Sequence, residues 1–435
     1  MKSLAAGAFP QQLLQLIDKI EDSGYETWLV GGAVRDALLG RECLDFDLAT
    51  VAKPAQLVKV LSGDYDIVLS GVEFGTITAR ITNEIKVEIT TYRSESDYTD
   101  SRHPDQIAFE RDIKTDLSRR DFTINAFAWH PERGLIDEFS GLLDLELGII
   151  RTVGNPRQRF AEDGLRILRA LRFSSVLGFA IEKSTSEAIV TTRNKLKLVA
   201  GERISKEWEL LLHGDSWRSV LSEYKEVLST FVPYIRGLNP EKFSQEAKCN
   251  DVIIRIKNKN DIITSLRNVQ VAEACSANYQ DVQKMLRILR YSAKYQKNTL
   301  ALFSFLQEVK RLSPLDLTYY DSADNRLLMN NLFSDYGQDS LDLFLSLGAC
   351  FSALEPKVLE SLRQIYDFYL MNNLPITVMD LKVKGEDVMN LVVLQEGSRV
   401  GDLLRQLLHE VVSGAAPNTR AGQLDWLKRL ARRIN

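Results

Sequence analysis

The residue pattern predicts an α+β chain: a head with a small mixed β-sheet, followed by all-helical neck, body and tail segments. Two observations carry this. Up to about residue 150, alternating runs such as Ile67-Val-Leu, Thr76-Ile-Thr-Ala-Arg-Ile and Lys86–Thr90 mix with short helical stretches. Beyond Asn155-Pro156 almost every apolar pattern has helical period, with breaks near Gly178, Gly214, Pro233–Pro240, Ser313-Pro314, Asn372–Pro375 and Ala415–Pro417. The expected segments are 1–150, 151–215, 216–312 and 313–435, with no low-complexity linker and no internal repeat.

Within the head, Phe9–Asp22 has helical periodicity and is expected to pack on the sheet. Thr27–Val30 reads as a short buried strand. Gly31-Gly32 can adopt backbone angles closed to other residues and offer bare N–H groups to an anion. Ala33–Leu39 reads as a short helix capped by Gly40, with Arg35 in its first turn and able to reach a phosphate. Leu44-Asp45-Phe46-Asp47-Leu48 alternates strictly, so Asp45 and Asp47 share one strand face while the apolar residues pack behind them. Two carboxylates on one face supply the hard oxygen ligands that Mg²⁺ prefers. Ile85–Thr90 places Glu88 between Val87 and Ile89 as a third candidate. A Gly-Gly turn or an Asp-x-Asp alone is usually structural; in this order and this close together they point to nucleotidyl transfer.

Ser118–Ala128 gathers Arg119, Arg120, Asp121 and Asn125 just before an apolar run. An arginine there can bond phosphate, and an Asp or Asn can bond ribose hydroxyls; the plainer reading is a solvated helix N-terminus. Leu135–Leu145 reads as a linking, hinge-like segment. Arg159–Phe173 has helical spacing, with Asp163 and Arg166 three apart on one face. On the residues alone this reads first as an intrahelical ion pair, worth about 0.2–0.5 kcal/mol. The alternative is base recognition. A carboxylate accepts from the exocyclic amino group of cytosine or adenine, and an arginine donates to the adjacent ring nitrogen, so guanine and uracil are rejected. Arg169 and Arg172 follow at three-residue steps, either as phosphate or RNA contacts or as an exposed basic stripe.

These segments together resemble the class II tRNA nucleotidyltransferases, the CCA-adding enzymes, a signature that bacterial poly(A) polymerases share. The resemblance implies that Asp45 and Asp47 bind catalytic metal, with Glu88 as the third carboxylate. It implies that Gly31, Gly32, Arg35 and Asp36 hold the triphosphate and that Arg119, Arg120, Asp121 and Asn125 hold the sugar end. Glu162-Asp163-Gly164-Leu165-Arg166 matches the family's Glu-Asp-x-x-Arg motif, which turns the balance toward base selection by Asp163 and Arg166. Gly201–Glu207 resembles a motif that braces the recognition helix. Two Mg²⁺ ions are implied as cofactors, with CTP and ATP as substrates. The RNA partner implied is the 3′ end, acceptor stem and T-arm of tRNA, with no DNA.

Met379–Val388, Glu396–Leu408 and Gly414–Asn418 resemble the tail of Gram-positive-type CCA-adding enzymes, although Glu396-Gly397 stands where Pro-Gly is usual. Residues of about 220–375 match in helical character only. Tyr92–Phe109 is polar, lacks periodicity and reads as a mobile loop of the kind found in relatives that add the terminal adenosine. A CC-only enzyme is therefore disfavoured. An A-adding specialist, a poly(A) polymerase and, from another class, an RNA-binding module without catalysis remain the alternatives.

Composition agrees with a large enzyme: 435 residues, 45% hydrophobic, suffice for more than one core. No run approaches the ~20 apolar residues of a membrane span, and no signal peptide is expected. Cys43, Cys249, Cys275 and Cys350 are scattered, which suggests reduced thiols in the cytoplasm rather than a disulfide frame or zinc site. The four histidines include no His-Asp pair of the sort a fused phosphohydrolase would need. A net charge of −4 does not exclude RNA, because binding needs only local basic surface. Arg157–Arg172, Lys195–Arg203, Lys284–Lys297 and Lys428–Arg433 are the candidate patches.

Overall fold

The structure, a computed structural model, describes residues 4, 6–43, 45–69, 71–82, 85–96, 106–243, 260–312, 317, 319–392 and 398–434. By packing, the chain divides into two units. The first is Met1–Arg236 with Arg287–Tyr291, and the second is Gly237–Leu286 with Ser292–Asn435.

The head begins with α1 (Gln11–Asp22), whose Leu13, Leu16, Ile17 and Ile20 are buried at helical spacing. It starts two residues later than periodicity suggests, because Pro10 occupies the N-cap. Strand β1 (Thr27–Val30) is buried throughout and lies where expected. Helix α2 (Gly32–Leu38) follows; Leu39 caps it, and Gly40 turns away at φ +67° just beyond. Then come β2 (Asp45–Thr50), α3 (Pro54–Leu61), β3 (Asp66–Val68), β4 (Thr76–Arg80) and β5 (Lys86–Thr91). The segment read as a mobile loop carries β6 (Arg93–Ser96) and β7 (Gln106–Phe109), which pair antiparallel; its positions 97–105 lie outside the described residues. After α4 (Ile113–Ser118), strands β8 (Phe127–His130) and β9 (Gly134–Asp137) and helix α5 (Gly141–Leu147) complete the head.

The main sheet has seven strands in the order β3-β4-β5-β2-β1-β8-β9. It is mixed, as expected: β2 and β5 run parallel, and every other neighbouring pair is antiparallel. Trp28, Val30, Ala49, Tyr92, Ile113, Leu117 and Ala128 form one of its cores.

Strand β10 (Ile149–Ile150) pairs with β11 (Ala180–Ile181), a short strand inside a region whose periodicity reads as helical. The neck helices are α6 (Pro156–Glu162), α7 (Leu165–Leu177), α8 (Lys183–Thr192) and α9 (Gly201–His213), followed by α10 (Trp217–Glu223) and α11 (Lys225–Leu228). The single helix expected over Arg159–Phe173 is thus two helices with a corner at Asp163-Gly164. A Cβ on Gly164 would lie 2.7 Å from the Lys195 carbonyl oxygen, so the corner is set by close packing against a distant segment. A Cβ on Gly201 would lie 2.3 Å from the Ile288 carbonyl oxygen, and Arg290 pairs with Glu202 at 2.9 Å. The Arg287–Tyr291 segment thereby belongs to the first unit.

The second unit is built from helices over Asn260–Ala274, Tyr279–Ile288 (as far as Leu286), Ala293–Val309, Ala323–Tyr336, Gln338–Gly348 and Pro356–Met371, then Gly385–Val392, Ser398–Ser413 and Arg420–Ile434. Leu381, Val383, Val388, Leu407, Val411 and Leu427 form the core of its last part. There the buried Gln423 accepts from the backbone N–H of Lys382 and Val383, at 2.8 and 3.2 Å. Among the described residues no helix is long and apolar enough to cross a membrane.

Candidate active site

Burial along β2 follows the alternation of its sequence: Phe46 and Leu48 are buried, while Asp45 and Asp47 face the open side. Parallel pairing brings Asp47 into register with Glu88 on β5, where Val87 and Ile89 are buried and Glu88 faces the same side. The Asp47 carboxyl is raised to about 6, first by burial of its charge among surrounding atoms and then by Glu88 and Asp45, with Arg120 opposing. A cation placed among these carboxylates removes that repulsion. Among the described residues no three His, Cys, Asp or Glu side chains close around one point. The donor set is instead an open strand pair with Glu88 alongside. That suits a hard divalent cation which keeps positions for phosphate oxygens and water.

Gly31 joins this face to α2. Its φ of +77° and ψ of −135° belong to glycine, and a Cβ there would stand 2.8 Å from Arg120 Nη1 and 3.6 Å from Asp47 Oδ2. The turn therefore lets backbone, carboxylate and guanidinium meet.

From α2 a chain of polar contacts runs into the neck. Arg35 Nη1 donates to Asn125 Oδ1 at 2.6 Å, and its other nitrogens donate to Asp36 at 2.9 Å. Asn125 Nδ2 donates to Asp121 Oδ1 at 3.2 Å, and Arg169 Nε donates to Asp121 Oδ2 at 2.6 Å. Glu207 on α9 closes the chain against Arg172 at 3.0 Å and Arg169 at 3.8 Å. Burial alone would push the Asp121 carboxyl up, but Arg169, with help from Asn125, pulls it down to about 2. Arg169 and Arg172 are thus not an exposed stripe. They line the cleft, and with Arg35 they surround the Phe173 ring at 5.6, 4.1 and 5.0 Å. Arg119 and Arg120 both pair with the buried Asp116, at 2.7 and 3.3 Å, and hold its carboxyl below the usual range against the effect of burial.

The pair expected to share a helix face is divided by the corner. Asp163 is the C-cap of α6 and accepts from Leu165 N–H at 2.9 Å, while its other partner is Arg203 Nη2 at 2.7 Å. Arg166 pairs with Glu162 and donates to the carbonyls of Arg159 and Arg119 at 3.2 and 3.3 Å. The Asp163–Arg166 ion pair that sequence spacing suggested is absent from this geometry, because the helix does not continue through Gly164.

One cleft of about 630 Å³ takes in all fifteen expected site positions, from Gly31 and Gly32 through the three carboxylates to Arg172. Sequence reasoning missed others on its wall: Thr76, Thr90, Arg93 and Phe173; Arg203 is expected from sequence only in the bracing segment and in the Lys195–Arg203 basic patch. Arg93 directly follows the Glu88 strand, which was a usable signal; Phe173 looked like ordinary core. Cys43 also borders the cleft as a free thiol, and Cys275 and Cys350 are free and buried. Cys249 lies outside the described residues.

Strand carboxylates beside a glycine turn, under a wall of arginines, are the requirements of phosphoryl transfer between nucleotides, and the head is that of a nucleotidyltransferase. Residues 27–151 match the poly(A) polymerase head domain. Residues 178–227 match the probable RNA- and SrmB-binding site of polymerase A, and 269–427 a putative second domain of tRNA nucleotidyltransferases. The CCA-adding enzyme of Ligilactobacillus salivarius is 32% identical over 427 residues, covering 97% of this chain and 96% of its own. That of Streptococcus mutans is 32% identical over 421 residues, covering 96% and 97%. The crystal structure of the Bacillus stearothermophilus CCA-adding enzyme in complex with CTP superposes with a TM-score of 0.74 at 26% identity, covering 98% of both chains. This chain belongs to the CCA-adding enzymes, a family of tRNA nucleotidyltransferases.

Proposed function

We propose that this chain adds C and A, drawn from CTP and ATP, to the 3′ end of tRNA in the cytoplasm without a nucleic-acid template. The observation that carries the reading is the single cleft joining Asp45, Asp47 and Glu88 to the Gly31–Arg35 turn and to Asp163 and Arg166. Asp45 and Asp47, with Glu88, would hold divalent cations, proposed to be Mg²⁺. When bound, these would neutralise triphosphate charge and ease deprotonation of the terminal 3′-hydroxyl. Gly32 offers its backbone N–H to the triphosphate beside Arg35, while Gly31, whose own N–H donates to the Phe127 carbonyl at 3.2 Å and is not the bare donor expected from the sequence, supplies the turn that presents it. Arg119 and Arg120 hold the sugar end with Asn125 and Asp121, and Arg169 and Arg172 supply positive charge on the neck wall. Asp163 accepts from an exocyclic amino group and Arg166 donates to the neighbouring ring atoms, so that cytosine and adenine fit and guanine and uracil do not. The neck over 151–215 would carry this choice. The body (216–312) and tail (313–435) would grip the acceptor stem and T-arm through shape and backbone charge.

The test offers Mg²⁺, CTP and ATP to tRNAs lacking all, or only the last, of the CCA end. Addition of C followed by A is expected. Addition of A only to the CC-ended tRNA would make the chain an A-adding specialist, and long A tracts on varied RNA would make it a poly(A) polymerase. Asp45→Ala and Asp47→Ala should each abolish incorporation while leaving the melting curve cooperative; surviving activity would sink the metal assignment.

A further inference from the structure

A second concavity, of about 560 Å³, lies within the second unit between the helices over Tyr279–Ile288, Ala293–Val309 and Ala323–Tyr336. Its back wall is aromatic and fixed. Phe303 is buried, and the Tyr336 ring is held edge-on by Phe305 and Phe344 at 5.7 Å each. The Tyr336 hydroxyl is tied to Glu308 Oε2 at 3.0 Å, so the one carboxylate on this wall already has a donor. Tyr279 stands at the rim, 44% exposed.

Three polar side chains facing this wall keep donors unengaged among the described residues. Among the described residues Gln307 makes no side-chain hydrogen bond, and Asn278 uses only its carbonyl oxygen, as acceptor for the Asp281 N–H at 3.0 Å, leaving its amino group unengaged. Lys310 is paired with the buried Glu273 at 3.4 Å, but its neighbour Arg311 forms no ion pair among the described residues. Aromatic faces, two neutral amides and one unpaired guanidinium are complementary to a planar heterocycle carrying an anion. The rings offer stacking, the amides hydrogen bonds to a base edge, and the guanidinium a partner for phosphate. A purely apolar ligand would leave Arg311 and both amides unused.

We propose that this pocket takes one unpaired nucleotide of the RNA substrate, its base against Tyr279 and Tyr336 and its phosphate on Arg311. The inference rests on the tRNA reading above and adds to it a discrete nucleotide subsite far along the chain from the catalytic carboxylates. The test measures binding of fluorescent tRNA ending in CC to the full-length wild type and to Tyr279→Ala, Tyr279→Phe and Arg311→Glu, together with KM for ATP on the same tRNA. Tyr279→Ala and Arg311→Glu should each weaken tRNA binding about tenfold. Tyr279→Phe should bind like the wild type, and KM for ATP and the rate at saturating tRNA should not move.

In a second arm, tRNA carrying 4-thiouridine is photo-crosslinked, and so is 8-azido-AMP as the free nucleotide. Crosslinks from tRNA to Tyr279 or to the 303–311 segment support the proposal. Unchanged tRNA affinity in both variants, or labelling by 8-azido-AMP alone, overturns it. A wild type that extends no tRNA would overturn the proposed function instead, so the two failures are distinguishable.

Discussion

A methyl group on Gly31 would sit 2.8 Å from Arg120 Nη1 at a φ of +77°, so this position is closed to every other residue twice over. Gly31→Ala should cost about 1–3 kcal/mol in urea unfolding and displace Arg120 from beside Asp47. Activity should fall more than stability alone explains; a variant with wild-type turnover would show that the turn tolerates a side chain. Asp121 gives a pH-dependent test. Its folded carboxyl lies near 2, below the ordinary 3.8, so the unfolded chain takes up that proton first as pH falls. The stabilisation is complete above about pH 4 and is lost on the way to about pH 2, and its size is about 2 kcal/mol. Asp121→Asn should therefore be less stable than the wild type by about that amount at pH 7 and nearly equal to it at pH 2. A gap that persists at pH 2 would remove the Asp121–Arg169 charge pair as its cause.

At the scale of elements, legibility tracked how local the cause was. The alternation of Leu44–Leu48 made the face of Asp45 and Asp47 readable, because side-chain direction in a strand has period two. The parallel register that sets Glu88 beside Asp47 needed the sheet. The α6–α7 corner was hidden for another reason. One glycine in an otherwise helical run is normally tolerated, and what stops the helix is the Lys195 backbone, thirty-one positions away. For Arg169 and Arg172 the sequence left phosphate or RNA contacts and an exposed stripe both open, because their partners, Asp121 and Glu207, sit on other elements. All the expected site residues were nonetheless found in one cleft; what sequence could not give was their pairing. Gly164→Ala should push α7 off the Lys195 segment and move Asp163 relative to Arg166. The expected result is roughly a tenfold loss in the CTP-over-UTP ratio of kcat/KM, equivalent to ~1.4 kcal/mol, with the melting transition preserved. Unchanged discrimination would mean that the corner is not needed for base choice.

For the whole molecule, a net charge of −4 coexists with an RNA substrate because the arginines gather locally. KM for tRNA should rise steeply between 50 and 200 mM salt, by about tenfold or more, while KM for CTP changes far less. A flat response would assign recognition to shape without phosphate contacts. The helical character of the later chain was plain from its period, yet its division was not, since period-3.6 patterns do not say which helix packs with which. The backbone passes between the two units after Arg236, after Leu286 and again after Tyr291, and the short returning piece meets the first unit at Gly201 and Glu202. A single genetic crossover cannot therefore exchange one unit for a relative's without also separating that unit from its returning strand of sequence. Recombination between family members should favour junctions inside a unit's surface loops, or whole-gene replacement. The two halves are expected to share one evolutionary history rather than two.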